Sequence, residues 1–231
     1  MLKKTVILLF VFAMLLSVSA FTAGAADNLL LNGGFEEGDT AQPSNWTREF
    51  WQQGAVLSLT DQKSYRGKYS LMLKSDNPND VRMVQTVKVK PNTCYKLSGW
   101  VSYENVTSGK VGANLCVVMN GFNHSPTLNG TGDWTYTELN FRTHARQTMA
   151  VIGARLGMWG NDVTGTAYFD ELSLTELDFQ PPDCQQLLDE KGTSGSKKGS
   201  FGAGGLWLII LLVAVAAVVF YRKKMKPTAR G

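Results

Sequence analysis

Three kinds of side chain in this 231-residue chain have the chemistry to hold a ligand together. Trp100 offers a flat apolar plane, Arg82 and Arg155 each a fork of five N–H donors, and Asn114 an amide that both donates and accepts. Such a set suits a ligand with an apolar face and a rim of hydroxyls. Trp51, in Phe50-Trp51-Gln52-Gln53, supplies a second plane that walls one side. Gln85 shares a strand with Arg82 at the opposite parity, so only one of them faces outward, and Arg82 is expected to. Trp159, at the tip of Gly157-Met158-Trp159-Gly160-Asn161, is a secondary candidate; Trp46 and Trp134 are assigned to packing. Catalysis has less to stand on. His124 lies in a Gly/Asn/Pro loop and His144 at a strand end, no serine sits in a nucleophile elbow, and nothing couples Glu104 to Glu138 as acid and base. The expectation is a binding module without enzyme activity.

The elements that must position these groups are strands. In Cys94–Tyr103 the side chains alternate: Tyr95, Leu97, Val101 and Tyr103 point one way, Lys96, Ser98, Trp100 and Ser102 the other. On the adjacent predicted strand Ala113, Leu115, Val117 and Met119 look inward, which leaves Asn114 on the side of Trp100. On a later strand Ile152, Ala154 and Leu156 are core, leaving Arg155 and Val151 outside. Further strands are predicted near Leu29–Leu31, Ala55–Thr60, Tyr69–Lys74, Met83–Lys90, Thr135–Thr143 and Ala167–Leu174. Turns fall between them at Asp76–Asp80, Pro91-Asn92, Thr107–Gly109 and Asn129–Gly132. Helical periodicity is absent, so the fold class is all-β, a sandwich of two antiparallel sheets.

Both ends carry membrane-targeting signals. Residues 1–26 have a basic start, an apolar run from Thr5 to Leu16 and a small-residue stretch, the pattern of a secretory signal peptide. The sandwich occupies 27–177 and a flexible polar tether 178–204. Residues 205–221 are apolar and long enough for a transmembrane helix across a core of about 30 Å. The tail 222–231 carries Arg222, Lys223, Lys224, Lys226 and Arg230, so it is expected in the cytoplasm with the domain outside, a single-pass cell-membrane protein. Setting aside two basic residues in the signal and five in the tail leaves 16 of 23, against all 19 acids. The external part is thus slightly acidic, and the basic pI gives no sign of nucleic-acid binding. Cys94 and Cys116 flank a predicted hairpin and are candidates for a disulfide, while Cys184 is either free or bridges two chains into a dimer.

Several segments, taken in order, resemble a known family. They are Asn28–Glu36, Trp46, Ser64–Leu71, Gln85–Trp100, Asp133-Trp134 and Ala167–Leu174. The set is similar to carbohydrate-binding modules of the cellulose- and xylan-binding group, families four, nine and twenty-two. The resemblance implies a galactose-binding-like jelly roll whose sheet face holds a polysaccharide or oligosaccharide chain. Trp51 and Trp100 would stack on sugar rings, and Arg82, Asn114 and Arg155 would bond to hydroxyls. It also implies a structural Ca2+ tying the opening segment to the closing strand, with Glu36 and Asp170 as carboxylates and carbonyls from Gly34 and the Gly67-Lys68 turn. The alternative is an adhesion or assembly module meeting a protein or envelope component.

Overall fold

The computed structural model describes residues 27–119 and 121–187. The signal peptide, the tether beyond residue 187, the transmembrane run and the basic tail lie outside these residues.

The described chain is all strand and loop. In chain order the strands are β1 (Gly38–Asp39), β2 (Gln42–Pro43), β3 (Thr47–Phe50), β4 (Val56–Thr60), β5 (Ser70–Asn79), β6 (Val81–Lys88) and β7 (Cys94–Val106). Then come β8 (Ala113–Met119), β9 (Gly121–His124), β10 (Gly130–Arg142), β11 (Met149–Leu156), β12 (Val163–Glu176) and β13 (Gln185–Gln186). Apart from the small β1–β2 ribbon they form two sheets, ordered β13-β10-β7-β12-β5-β4 and β3-β6-β11-β8-β9.

Alternating apolar residues explain why the sheets face each other. Leu97 and Val101 from β7, Phe169 from β12 and Leu71 from β5 pack with Met83 from β6, Leu115 from β8 and Ile152 from β11 in one fully buried cluster. Burying side chains of this size is worth about 1.5–3 kcal/mol each, so a register slip that turned them outward would cost the fold. Predicted strand parities hold on β7, β8 and β11. The Leu29–Leu31 segment is not a strand, yet it is bound to the sandwich. Gln85 turns inward and holds Leu31 at both ends, donating to its carbonyl at 2.9 Å and accepting from its N–H at 2.8 Å. Trp46 is buried and donates through Nε1 to the Asn32 carbonyl at 3.1 Å, the packing role assigned to it.

Two expectations about neighbours are corrected. The chain from β7 to β8 is not a hairpin: β7 pairs with β10 and β12, whereas β8 pairs with β11 and β9 in the other sheet. Cys94 and Cys116 therefore stand on opposite sides of the sandwich. Cys94 forms its disulfide with Cys184 instead, and Cys116 is a buried free thiol. With Cys184 consumed inside the chain, it has no thiol left for a covalent dimer. The same link corrects the domain boundary. Residues 178–187 are not loose tether: β13 pairs in parallel with β10, the Leu187 N–H donates to the Arg142 carbonyl at 2.9 Å, and Leu187 is fully buried.

Candidate functional site

Strand pairing lines up four outward residues of the five-stranded sheet in one row. Glu49 stands opposite Arg82, Arg82 opposite Arg155, and Arg155 opposite Asn114. Arg82, Asn114 and Arg155, singled out from sequence, are thus brought together. Their partners were missed. Arg155 makes a two-pronged bond to Asp80, Nε to Oδ1 at 2.7 Å and Nη2 to Oδ2 at 2.5 Å, with both side chains about nine-tenths buried. Arg82 donates through Nε to Glu49 Oε2 at 2.6 Å, a more exposed pair. Nothing local signals either pairing. Asp80 reads as a turn acid, and Glu49 meets Arg82 only through the register of β3 on β6.

Asn114 is fully buried in this row. Its Nδ2 donates to the Gly112 carbonyl at 2.9 Å, while Oδ1 has no hydrogen-bond partner among the described residues. Cys116 follows it on the outer side of β8. Burial pushes its thiol up to about 11, so it stays protonated and unreactive at neutral pH despite the nearby Arg155.

One end of the row opens into a surface pocket of about 240 Å³ lined by Glu49, Phe50, Trp51, Asp80 and Arg82. The Trp51 backbone is fixed while its ring is free. Its N–H donates to the Asp80 carbonyl at 2.9 Å, and the next residue is clamped by Asn79, which accepts from the Gln52 N–H at 3.0 Å and donates to the Gln52 carbonyl at 2.8 Å. Trp51 is 66% exposed, so this residue faces water with its backbone anchor already ordered. Trp159 is similarly open, in the loop that follows Leu156 at the same end of β11.

Trp100 does not belong to this set. It projects from β7 on the outer face of the other sheet, so a single ligand cannot lie on it and on Arg82, Asn114 and Arg155. Nor is its plane bare: Tyr65 stacks on it at 4.1 Å, and Tyr136 meets its edge at 5.6 Å. Trp134 meets Tyr65 edge-on at 5.9 Å. Four aromatic rings form one cluster there, with Tyr65 and Tyr136 outermost.

The two proposed calcium carboxylates, Glu36 and Asp170, meet around one loop, where they accept backbone amide hydrogens. Asp170 is fully buried and accepts N–H bonds from Tyr65 (2.8 Å), Arg66 (3.0 Å) and Glu171 (2.7 Å). Glu36 Oε1 accepts from the N–H groups of Lys68 and Tyr69, both at 2.9 Å. The turn between them needs glycine: Gly67 has φ +71, and a Cβ there would meet Glu36 Oε1 at 2.3 Å. A calcium ion needs six to eight oxygens with lone pairs directed at it. Here Glu36 Oε1 and both oxygens of Asp170 accept amide hydrogens. The two carboxylates pin loop 65–69 directly.

Burial pushes the Asp170 pKa up to about 6, outweighing the amide bonds that pull it down. Its unfolded value is about 3.9. Between roughly pH 4 and 6 the folded state therefore holds a proton that the unfolded state has lost, and this group's contribution to stability falls as pH rises. Denaturant unfolding of wild type against Asp170→Asn should show the wild type losing relative stability from pH 4 to 6.5. A relative gain over that range would mean the amide bonds dominate burial.

Comparison with known proteins gives three kinds of match. The model of the family described as a carbohydrate binding domain matches residues 27–153. Among curated proteins, the chain is 28% identical over 167 residues to the tRNA(Glu)-specific nuclease WapA of Bacillus subtilis subsp. natto (strain BEST195), covering 65% of this chain and 7% of that protein. It is 27% identical over 165 residues to the tRNA nuclease WapA of Bacillus subtilis (strain 168), again 65% and 7%. The chain thus spans about 7% of the length of these curated relatives. Among solved structures, the module TmCBM61 in complex with β-1,4-galactotriose is 21% identical with a TM-score of 0.47, covering 66% of this chain and all of that one, 100%. The CBM22-1 xylan-binding domain of Paenibacillus barcinonensis Xyn10C is 21% identical with a TM-score of 0.42, covering 69% and 100%.

Proposed function

Because the chain belongs to the carbohydrate-binding domain family over residues 27–153, we propose that it binds a polysaccharide or oligosaccharide chain, without cleaving it, on the outer face of the five-stranded sheet. The observation that carries this placement is Trp51, an exposed indole on a clamped backbone beside a pocket walled by Glu49, Asp80 and Arg82. A sugar ring would lay its C–H face on the indole and turn its hydroxyls to the carboxylates and guanidinium. Pre-ordering of the loop lowers the entropy lost on binding. Trp100 is left out of the groove. The disulfide Cys94–Cys184 supports an oxidising compartment outside the cytoplasm. With the apolar run 205–221 and the basic tail behind it, the domain would be displayed at the cell surface.

Affinity electrophoresis through gels containing soluble derivatives of cellulose, xylan, mixed-linkage β-glucan or mannan tests this. The protein should be retarded by at least one, and Trp51→Ala should weaken that binding on the order of tenfold or more, as for a central aromatic anchor, with the fold intact. Free migration in every gel, or a Trp51→Ala variant as strongly retarded as wild type, would overturn the reading.

A second reading rests on the opposite face. The Tyr65–Trp100–Trp134–Tyr136 cluster is an aromatic patch with Tyr65 and Tyr136 exposed, which favours an adhesion surface for a protein or envelope component. A partner that Tyr65→Ala releases, and that excess oligosaccharide does not, would favour it.

A further inference from the structure

A domain that holds a ligand while its own chain is anchored elsewhere is pulled between the two points. We infer that the Cys94–Cys184 disulfide carries that tension: it joins the C-terminal end of the domain to the strand that runs up to the pocket, so a pull bypasses residues 95–183. The direction of pull rests on the reading above, a site displayed on a C-terminal anchor.

Strand pairing puts the two points at opposite ends of the sandwich. The described chain ends at Leu187 beside the start of β7, because Gln185 pairs with Phe141 and Arg142 with Cys94. The pocket lies at the other end of the strands, where Phe50 of β3 and Leu156 of β11 both stand opposite Val81. β6 spans the distance, starting at Val81 next to the pocket residue Asp80 and leading through residues 89–93 to Cys94. The pull is therefore directed along the strands. Antiparallel hydrogen bonds lie across the strands, so this pull strains the β6–β11 ladder, from Val81↔Leu156 to Lys88↔Met149, as one set. A pull that peels a strand from its end breaks such bonds one at a time.

Without the link, tension would enter at Leu187, strip the two-residue β13 and reach β12 at Glu176. With it, tension passes from Cys184 to Cys94 and through residues 89–93 into β6. That connector crosses from the six-stranded to the five-stranded sheet, and it is braced where it crosses. The Val89 N–H donates to the Thr148 carbonyl at 3.0 Å and the Thr93 N–H to Thr143 Oγ1 at 3.0 Å. The Thr143 hydroxyl donates to the Lys90 carbonyl at 2.6 Å, and the Lys90 N–H donates to the Tyr95 hydroxyl at 2.8 Å. Thr143 is fully buried and Tyr95 nearly so, which shields these bonds from water.

Optical-tweezer pulling on the full-length protein in detergent tests this. One handle is attached at Gly231 and the other to a tag inserted after Gly54, an exposed residue near Trp51 with open space around it. Oxidised protein should first rupture at a force roughly twofold above that of reduced protein, because a whole ladder yields together. That rupture should release residues 55–93, about 140 Å of chain. Reduced wild type and Cys184→Ser should instead give an early low-force step of about 40 Å as residues 177–187 peel, and about 470 Å from residues 55–187 in all. Moving the Gly231 handle to a tag after Gly109, also exposed and open, takes Cys184 out of the path, and there reduction should leave the first-rupture force nearly unchanged. An equal drop in both geometries would mark a general stabiliser and overturn the inference. Equal first-rupture forces for oxidised and reduced protein between Gly54 and Gly231, or no early step once the link is open, would overturn it too. No ligand takes part, so absence of glycan binding in the gels overturns the glycan reading alone.

Discussion

Arg155→Ala should destabilise the domain by about 3–5 kcal/mol, the usual cost of removing one partner from a buried ion pair. For a domain of this size that is on the order of 10 °C in Tm. The cost comes less from the lost attraction than from what stays behind. Asp80 sits with only 11% of its side chain exposed, and without the guanidinium its carboxylate keeps a charge that neither water nor protein neutralises. The same residue is structurally central: its carbonyl accepts the Trp51 N–H, and its side chain ties the β5–β6 turn to β11. Arg155→Ala should therefore also release the Trp51 loop and weaken any ligand held there. Asp80→Leu combined with Arg155→Met should lie closer to wild type than either single change, since two apolar groups leave no stranded charge. Urea unfolding of wild type, Arg155→Ala, the two single changes Asp80→Leu and Arg155→Met, and the double variant measures this. A single-variant loss below about 1 kcal/mol, the range of surface pairs, would mean that water reaches the pair freely.

Cys184→Ser should cost about 2–4 kcal/mol and free the chain after Glu176. The disulfide spans 90 residues of sequence, so reducing it restores a large amount of chain freedom to the unfolded state. The segment it clasps has little else to hold it. β13 is two residues long and parallel to its neighbour, shorter than strands that persist alone. Asn140 to Asp183 at 2.8 Å and Arg142 to Gln180 at 3.2 Å are exposed bonds, leaving the buried Leu187 as the main non-covalent anchor. Reductant should lower wild-type stability to that of Cys184→Ser and leave the variant unchanged. Limited proteolysis should cut residues 178–187 only when the link is open. Wild type that is indifferent to reductant would show the clasp to be energetically idle.

Both effects lie where sequence reading had least purchase. Strand positions and side-chain parity were legible: Leu97, Leu115 and Ile152 inward, Trp100, Asn114 and Arg155 outward. The opening and closing segments and the family were legible too, because those motifs are local runs of chain. Grouping outward residues into one surface failed at Trp100. The strand that follows β7 in sequence crosses to the other sheet, so neighbours along the chain became opposite faces of the sandwich. Pairing the cysteines failed for the same reason. Cys94 and Cys116 looked close through an assumed hairpin, while the true partner, Cys184, lies in a segment whose polar composition read as tether.

The amino-acid order alone determined which residues alternate, hence which face of each strand seeks the core, since that depends only on the two-residue period of a pleated chain. It determined too that a single sandwich would form between an apolar start and an apolar end. Only the tertiary structure decided which outward faces share a sheet, which carboxylate neutralises which arginine, and which oxygens are spent on amide hydrogens. Those outcomes depend on contacts between residues tens of positions apart, set by the packing of the whole core, and no local pattern in the chain encodes them.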